Sequence, residues 1–340
     1  MAGRQVIAPC RKRKALLTIL AVALANCSRP IQTARLSDAE PESSSEAEAR
    51  YRGEACSPYW SLAFPGLGQA CNRQVGKAAL LGVLGATELA GGIVGGLTNK
   101  NALGENDFSH PSSEFPLLAF QNTYFYSVSD AVMQRQLRQG LRYVPTDSTL
   151  DLVAAPFNIQ VMKRPEVWAG LLGFLAIGVG ASLLLAGDNV DRDEIGGGPN
   201  LFGRQFSQLA GYGLGAGLGT TRFSHVAISE EALFRGVAQS GWSRKWGETQ
   251  GWLAASALFG AAHAPNALAL DGKDRLKYLL VGLPVITAGG AYIGWVYRRD
   301  GYSLAPPVAI HFWYDLLLST TFMVLDPKNN AFSAKIGFQF

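Results

Sequence analysis

The sequence predicts an all-α protein, a polytopic bundle of transmembrane helices that encloses a polar cavity within the membrane. Hydrophobic residues make up 48% of the 340 residues and charged residues only 16%. Several runs are long and apolar enough to cross a bilayer. Ionisable residues also interrupt apolar sequence in the last third of the chain, where each costs about 3 kcal/mol on insertion scales. Chains rarely keep such residues without a use, so they indicate a polar chamber between helices.

Three runs are predicted to span the membrane. Residues 167–187 and 279–297 contain no charged side chain, and each is close to the ~20 residues that a spanning helix needs. Residues 78–97 are interrupted only by Glu88, and their glycines are better tolerated in lipid than in water.

Residues 1–27 are predicted to be a targeting segment. Basic residues at 11–14 precede an apolar stretch at 15–25 that is too short to span but fits the core of a signal peptide. The stretch ends in Leu-Ala-Asn-Cys27, which resembles the site at which bacterial lipoproteins are cleaved and acylated, although Asn26 departs from that pattern. An ordinary signal peptide and an uncleaved anchor remain alternatives. Residues 28–57 are polar and acidic, which predicts a disordered tether.

Residues 58–164 are predicted to form a membrane-associated N-terminal region with one span near 78–97. Proline and glycines in 64–77 favour a turn or a re-entrant entry into that span. Residues 115–138 mix aromatic and charged side chains, so they predict an amphipathic helix that lies on the membrane or on neighbouring helices, and a packed surface helix is the alternative.

The cysteines and the net charge restrict the range of functions. The four cysteines do not have the spacing of a zinc site. Cys56 and Cys71 could form a disulfide in an oxidising compartment, and two free thiols are the alternative. The formal charge of +4 is spread through loops and gives no case for binding nucleic acid.

Three short motifs carry the candidate chemistry. Glu231 and Arg235 are four residues apart, so they share a helix face and can pair. Glu230 points about 100° away and is predicted to face the cavity. The motifs, in chain order, are Glu230-Glu231-Ala-Leu-Phe-Arg235-Gly236, Phe259-Gly-Ala-Ala-His263 and His311-Phe-Trp-Tyr-Asp315.

Water activation with stabilisation of an oxyanion needs these residue types together. Glu230 and His263 can hold one water and remove its proton, while His311 can donate to the carbonyl oxygen. Asp315 lies one helical turn after His311, where a carboxylate can orient the imidazole. Ser229 lacks the signature of a nucleophile and is interpreted as a cap or a helix contact.

The order Glu-Glu-x-x-x-Arg, Phe-x-x-x-His and His-x-x-x-Asp resembles the CPBP family, the CAAX proteases and bacteriocin-processing enzymes also called Abi proteins. The neighbouring His263-Ala-Pro-Asn266 and the Gly-Trp-Val-Tyr-Arg sequence at 294–298 match too. The resemblance covers residues 165–326, which it identifies as an intramembrane protease domain, and leaves 327–340 as a C-terminal tail. It implies a helix bundle around a conical cavity.

The resemblance also implies roles for the site residues. Glu230 and His263 activate water, His311 and Asp315 form the oxyanion site, and the Glu231–Arg235 pair supports them. Asp315 departs from the asparagine of eukaryotic members. An ionised aspartate cannot donate a hydrogen bond, so it either orients His311 or stays protonated.

The sequence therefore predicts an endopeptidase without a cofactor, embedded in the bacterial inner membrane as a multi-pass protein. The expected partners are the lipid bilayer and a peptide or membrane-protein substrate, and no nucleic acid. One alternative is a zinc-dependent protease with Glu230, His263 and His311 as ligands. Another is a non-catalytic binding or immunity protein that keeps the cavity.

Overall fold

The computed structural model describes residues 56–101, 103–186, 194–328 and 330. The predicted signal segment, the predicted tether up to residue 55 and the end of the C-terminal tail lie outside the described residues. The α-helices are α1 (Leu67–Cys71), α2 (Val75–Thr98), α3 (Pro111–Arg138), α4 (Thr149–Ala154), α5 (Ile159–Met162), α6 (Pro165–Ala186), α7 (Gln208–Glu231), α8 (Ser240–Trp246), α9 (Glu248–His263), α10 (Gly272–Lys277), α11 (Leu283–Arg299) and α12 (Ala305–Leu325).

Shorter elements join these helices. Across the described ranges the only sheet is a small antiparallel hairpin, in which β1 (Asn200–Leu201) pairs with β2 (Arg204–Gln205). The remaining turns of helix are 3₁₀ segments at Pro58–Leu62, Ala155–Phe157 and Ala264–Ala269, and π-helices at Ala232–Gln239 and Tyr278–Gly282. The predicted all-α class is confirmed.

Three described helices are long and apolar enough to cross a membrane, namely Val75–Thr98, Gly272–Arg299 and Ala305–Leu325. The first two contain the predicted spans at 78–97 and 279–297 and have the length and composition that a span requires. The third carries the last motif and was not predicted as a span. These candidate spans fit a polytopic helical membrane protein.

The predicted span at 167–187 is helical from Pro165 to Ala186. Its apolar part, Pro165–Ala181, is shorter than the three candidate spans, and Gly187 lies outside the described residues. The helix packs against α12 and α11, and Tyr292 donates a hydrogen bond to the carbonyl of Glu166 at 2.7 Å. It therefore belongs to the bundle that surrounds the last motif.

The Pro-Gly-Leu-Gly-Gln sequence at 65–69 docks α1 on α3. Gly66 has φ +90°, and a Cβ there would lie 2.3 Å from the carbonyl oxygen of Ala78, so only glycine fits. Gln69 is fully buried, and its amide donates to the carbonyl of Ser127 at 2.8 Å and to Asp130 at 3.0 Å. The predicted turn is therefore a short helix held by buried hydrogen bonds.

Helix α3 is a packed member of the bundle. It contacts α2, α7 and the π-helix at Ala232–Gln239. Asp130, on α3, is 3% exposed and forms an ion pair with Lys77, with 3.0 Å between Oδ1 and Nζ. Of the two predicted positions for this helix, the structure shows the one on neighbouring helices.

Cys56 and Cys71 form a disulfide. The bond joins the first described residue to the end of α1, which itself docks on α3. The pairing that the sequence left open is present in the structure.

A half-buried aspartate joins the loop before α4 to the start of α12. Asp147 accepts hydrogen bonds from the hydroxyl of Ser303 and the backbone N–H of Leu304, both at 2.8 Å. Burial raises the pKa of Asp147 above its ordinary value of 3.8, and the two hydrogen bonds oppose that rise. The loop therefore fixes the start of the helix that carries His311.

Candidate active site

The first motif lies where an α-helix changes into a π-helix. Helix α7 ends at Glu231, and residues Ala232–Gln239 continue it with π-type hydrogen bonding. Gly236 allows close approach of α3, because a Cβ there would lie 2.2 Å from the sulfur of Met133. Single stretches of π-helix occur frequently at functional sites.

Glu231 connects the first motif to the third. Its Oε2 lies 3.1 Å from Nε of Arg235, which is the predicted pair, and its Oε1 lies 2.7 Å from Nδ1 of His311. Glu231 is 0% exposed and Arg235 1%. The carboxylate thus neutralises a buried cation and orients an imidazole at the same time.

Arg235 has two further partners within the bundle. Its Nη2 donates to the carbonyl of Gly290 at 2.8 Å, and its guanidinium lies over the ring of Phe259 at 4.5 Å from the centroid. These contacts connect the first motif to α9 and α11.

His263 is held by a carbonyl of its own helix. Its Nδ1 lies 2.7 Å from the carbonyl oxygen of Phe259, one turn earlier in α9. Because a carbonyl can only accept, Nδ1 carries the proton and donates it. In the neutral ring Nε2 is therefore an acceptor, and it lies 4.0 Å from Oε2 of Glu230.

Glu230 faces both imidazoles. Its Oε2 lies 4.0 Å from Nε2 of His263 and 4.0 Å from Nε2 of His311. This oxygen is buried and has no hydrogen-bond partner among the described residues. The side chain also lines a cavity, on the face that the sequence predicted.

Asp315 lies on the other side of His311 from Glu231. Its Oδ2 is 3.4 Å from Nε2 of His311, and within the described chain that oxygen has no hydrogen-bond partner. The nitrogen nearest Asp315 is thus the one that also faces Glu230. Glu231, rather than Asp315, makes the short contact that orients the ring.

A cavity of about 340 Å³ opens beside Glu230 and His263. Its walls come from α3, α7 and the end of α9. Sequence reasoning missed the polar residues Asn122, Arg222 and His225 in this lining. Residues 222, 226 and 230 are spaced one helical turn apart, so they lie on one face of α7. This spacing was the signal that could have placed Arg222 beside Glu230.

Asn122 connects this wall to the first motif. Its Oδ1 accepts a hydrogen bond from the hydroxyl of Ser229 at 2.6 Å, and its amide donates to the carbonyl of Leu118. Ser229 therefore makes a helix contact between α7 and α3, as the sequence suggested.

Within the described part of the chain, no group of three His, Cys, Asp or Glu side chains has the arrangement of a metal site. The candidate zinc ligands Glu230, His263 and His311 approach one another only to the 4.0 Å distances given above.

Residues 216–317 match the family model described as type II CAAX prenyl endopeptidase Rce1-like. Over these residues the chain is similar to that family. The match spans all three motifs and covers less than a third of the chain. No curated protein and no solved structure matches the chain.

The Rce1-like segment gives the protein its class. The family is part of the CPBP group, so the chain is a membrane-embedded protease in the general sense. The segment contains α9 to α11, most of α7 and the first half of α12, whereas α3, which forms one wall of the cavity, lies before it.

Proposed function

We propose that the protein cleaves a peptide bond within the membrane, using a water held between Glu230 and His263. The observation that carries this proposal is the unpartnered Oε2 of Glu230, 4.0 Å from Nε2 of His263. That distance is too long for a direct hydrogen bond, but one water about 2.8 Å from each atom spans it. Both atoms accept, so such a water donates its two protons to them and directs a lone pair at the substrate.

The proposed reaction keeps its protons within the site. The water oxygen bonds to the peptide carbonyl carbon as Glu230 takes one proton, and the carbonyl oxygen becomes an oxyanion. Collapse of the tetrahedral intermediate breaks the C–N bond. The proton then passes from Glu230, directly or through His263, to the departing amine.

His311 is proposed to stabilise the oxyanion. Its Nδ1 is fixed by Glu231, so a ring that is protonated on Nε2 presents that N–H beside Glu230 and Asp315. Fixed donors in a buried site stabilise a developing charge more than donors in water do. Asp315, when protonated, supplies a second donor near the same position.

The proposed mechanism needs no cofactor. One observation supports the zinc alternative. Oε2 of Glu230 lies 4.0 Å from Nε2 of both His263 and His311, so the three atoms are close together. Zinc ligands lie about 2.0–2.2 Å from the metal, which places them closer together than 4.0 Å. Metal binding would thus require these side chains to move inward.

We propose a peptide or a membrane-protein segment as the substrate and the bacterial inner membrane as the location. A cavity that is apolar except for a few polar groups suits a segment that comes from the bilayer. The signal-like start of the chain favours a bacterial substrate over a prenylated eukaryotic protein. No nucleic acid is proposed as a partner.

Peptide profiles of membranes test this proposal. Cells that express the wild type should contain cleavage products that are missing from cells with Glu230→Ala. Glu248→Ala, which removes an exposed carboxylate paired with Arg298, is the matched control and should leave the products unchanged. Identical profiles for wild type and Glu230→Ala would favour the non-catalytic binding protein instead.

A further inference from the structure

We propose that a cleft between the start of α9 and the end of α11 binds the phosphate of an anionic phospholipid headgroup. The cleft has a volume of about 530 Å³ and shares no lining residue with the cavity beside Glu230. This site is independent of the proposed cleavage reaction. The residues that line the cleft are Glu248, Trp252, Trp295, Arg298 and Arg299.

The cleft lies at one end of a candidate membrane span. Arg298 and Arg299 are the last two residues of the helical stretch Gly272–Arg299, which is long and apolar enough to cross a bilayer. Trp295 lies one turn before Arg299. Tryptophan rings and basic side chains are enriched at the level of the lipid headgroups. The end of this helix therefore places the cleft beside lipid phosphates.

Arg299 is the cation that the cleft offers to a ligand. The side chain is exposed, and its central guanidinium carbon lies 5.1 Å from the centroid of the Trp295 ring. Among the described residues, no carboxylate forms an ion pair with it. An arginine on an aromatic face keeps its N–H donors, and its planar fork matches two oxygens of a phosphate.

Arg298 is oriented by the opposite wall of the cleft. Its Nε lies 3.1 Å from Oε2 of Glu248, and its Nη1 donates to the hydroxyl of Thr249 at 3.3 Å. These contacts join the end of α11 to the first turn of α9, and Arg298 offsets the charge of Glu248. The charge of Arg299 is therefore left over, which suits an anion.

A hydrogen bond between the two helices fixes one wall of the cleft. Nε1 of Trp252, on α9, donates to the carbonyl of Ala291, on α11, at 2.7 Å. A Cβ at Gly294 would lie 3.0 Å from the Trp252 ring, so this glycine allows the indole to approach α11 closely. Helix packing thus shapes the cleft before a ligand arrives.

A second basic and aromatic group lies beside the cleft. Helix α8 ends at Trp246, two residues before Glu248, and packs against α9. Nζ of Lys245 lies 5.4 Å from the centroid of the Trp246 ring, which stacks on Trp242. Positive charge therefore extends over this end of the bundle, which favours an anionic lipid over a zwitterionic one.

Lipid binding to the purified protein tests this assignment without a turnover assay. The wild type, in a neutral detergent, is titrated with dioleoyl phosphatidylglycerol, and native mass spectrometry measures the occupancy of the first bound lipid. Dioleoyl phosphatidylcholine has the same acyl chains and no net charge, so it is the comparison. The melting temperature is measured with each lipid and with inorganic phosphate, which separates a lipid headgroup from a free anion.

We expect phosphatidylglycerol to bind about 5- to 10-fold more tightly than phosphatidylcholine, as for one arginine beside an anionic headgroup. Arg299→Gln should bring that ratio close to one, and Arg299→Lys should leave an intermediate ratio because lysine keeps the charge but loses the fork. Arg204→Gln, which replaces an exposed arginine on β2, is the matched control and should leave the ratio unchanged. Thermal unfolding of each variant without lipid shows that the fold is intact.

Equal binding of the two lipids by the wild type would overturn the assignment. So would a preference that survives Arg299→Gln, or one that falls as much in Arg204→Gln. If inorganic phosphate raised the melting temperature as much as phosphatidylglycerol did, and Arg299→Gln removed both effects, a free anion would replace the lipid as the occupant. None of these outcomes bears on the proposed cleavage, which is tested separately through Glu230.

Discussion

Nδ1 of His311 lies 2.7 Å from Oε1 of Glu231, although 80 residues separate the two in the chain. The same carboxylate lies 3.1 Å from Nε of Arg235. One buried group thus holds the first and third motifs together. Its loss should affect both the stability of the bundle and the geometry of the oxyanion site.

Glu231→Gln is expected to destabilise the protein by about 3–5 kcal/mol, because Arg235 would remain buried without a counter-charge. Turnover should fall as well, since His311 loses the carboxylate that orients it. Chemical or thermal unfolding in detergent measures the first effect, and turnover per folded molecule measures the second.

Glu248→Gln is the control for this prediction. Glu248 and Arg298 are also 3.1 Å apart, but their side chains are 40% and 35% exposed. An exposed pair contributes about 0–1 kcal/mol, so this variant should remain close to wild type. Equal losses from the two variants would contradict the role given to Glu231.

Glu230→Gln is expected to abolish turnover while leaving the free energy of unfolding close to that of the wild type. Glutamine keeps the size of the side chain but cannot accept the proton of the attacking water. Among the described residues, no ion pair within 3.5 Å depends on Glu230, whose imidazole neighbours are at 4.0 Å. Wild-type turnover in this variant would show that another group activates the water.

Local spacing predicted part of this site, and tertiary packing supplied the rest. The Glu231–Arg235 pair follows from a four-residue separation, and the apolar runs at 78–97 and 279–297 were sufficient to locate two spans. The Glu231–His311 contact joins distant segments, which no helical periodicity encodes.

Helix α3 was harder to predict for a similar reason. Its mixed side chains suit a membrane surface and a buried position equally well, and only its partners decide between them. Asp130 is compatible with burial because Lys77 and Gln69 lie next to it. Arg222 was missed because a single arginine in a glycine-rich helix has no motif around it.

Substitutions of Asp315 separate its two possible roles. If a protonated Asp315 donates to the oxyanion, Asp315→Asn should keep at least wild-type turnover at neutral pH, because an amide donates without needing a proton. Asp315→Ala should lose about 10²–10³ in rate. Turnover assays of both variants test the two roles, and normal cleavage by Asp315→Ala would exclude both of them.

Metal removal is expected to leave turnover intact. The proposed chemistry uses only side chains of the protein, so exhaustive dialysis against a metal-free buffer should not reduce activity, whereas His263→Ala should. Metal content is measured alongside turnover. If activity disappeared and stoichiometric zinc restored it, the zinc-dependent mechanism would replace the one proposed.

Asp147 should give stability a pH dependence. Its folded pKa is raised by burial, so its contribution to stability is present below its ordinary value of 3.8 and is lost as pH rises through the folded value. Asp147→Asn keeps an acceptor for Ser303 and Leu304 but does not titrate.

The melting temperature of Asp147→Asn, relative to wild type, should therefore increase as pH rises above about 3.8. A constant difference across that pH range would show that this carboxyl does not titrate as its surroundings imply.

Helix α7 has a consequence for how the protein is made. It carries Glu230 and Glu231 and is not among the three described helices with the length and composition of a span. Each buried charge costs about 3 kcal/mol on insertion scales, so this segment is a poor substrate for insertion on its own. We therefore expect it to enter the bilayer together with helices that shield it, with Arg235 and His311 reaching Glu231 as that happens. On the proposed mechanism, a newly synthesised chain would gain activity only after its last helix, which carries His311, has been inserted.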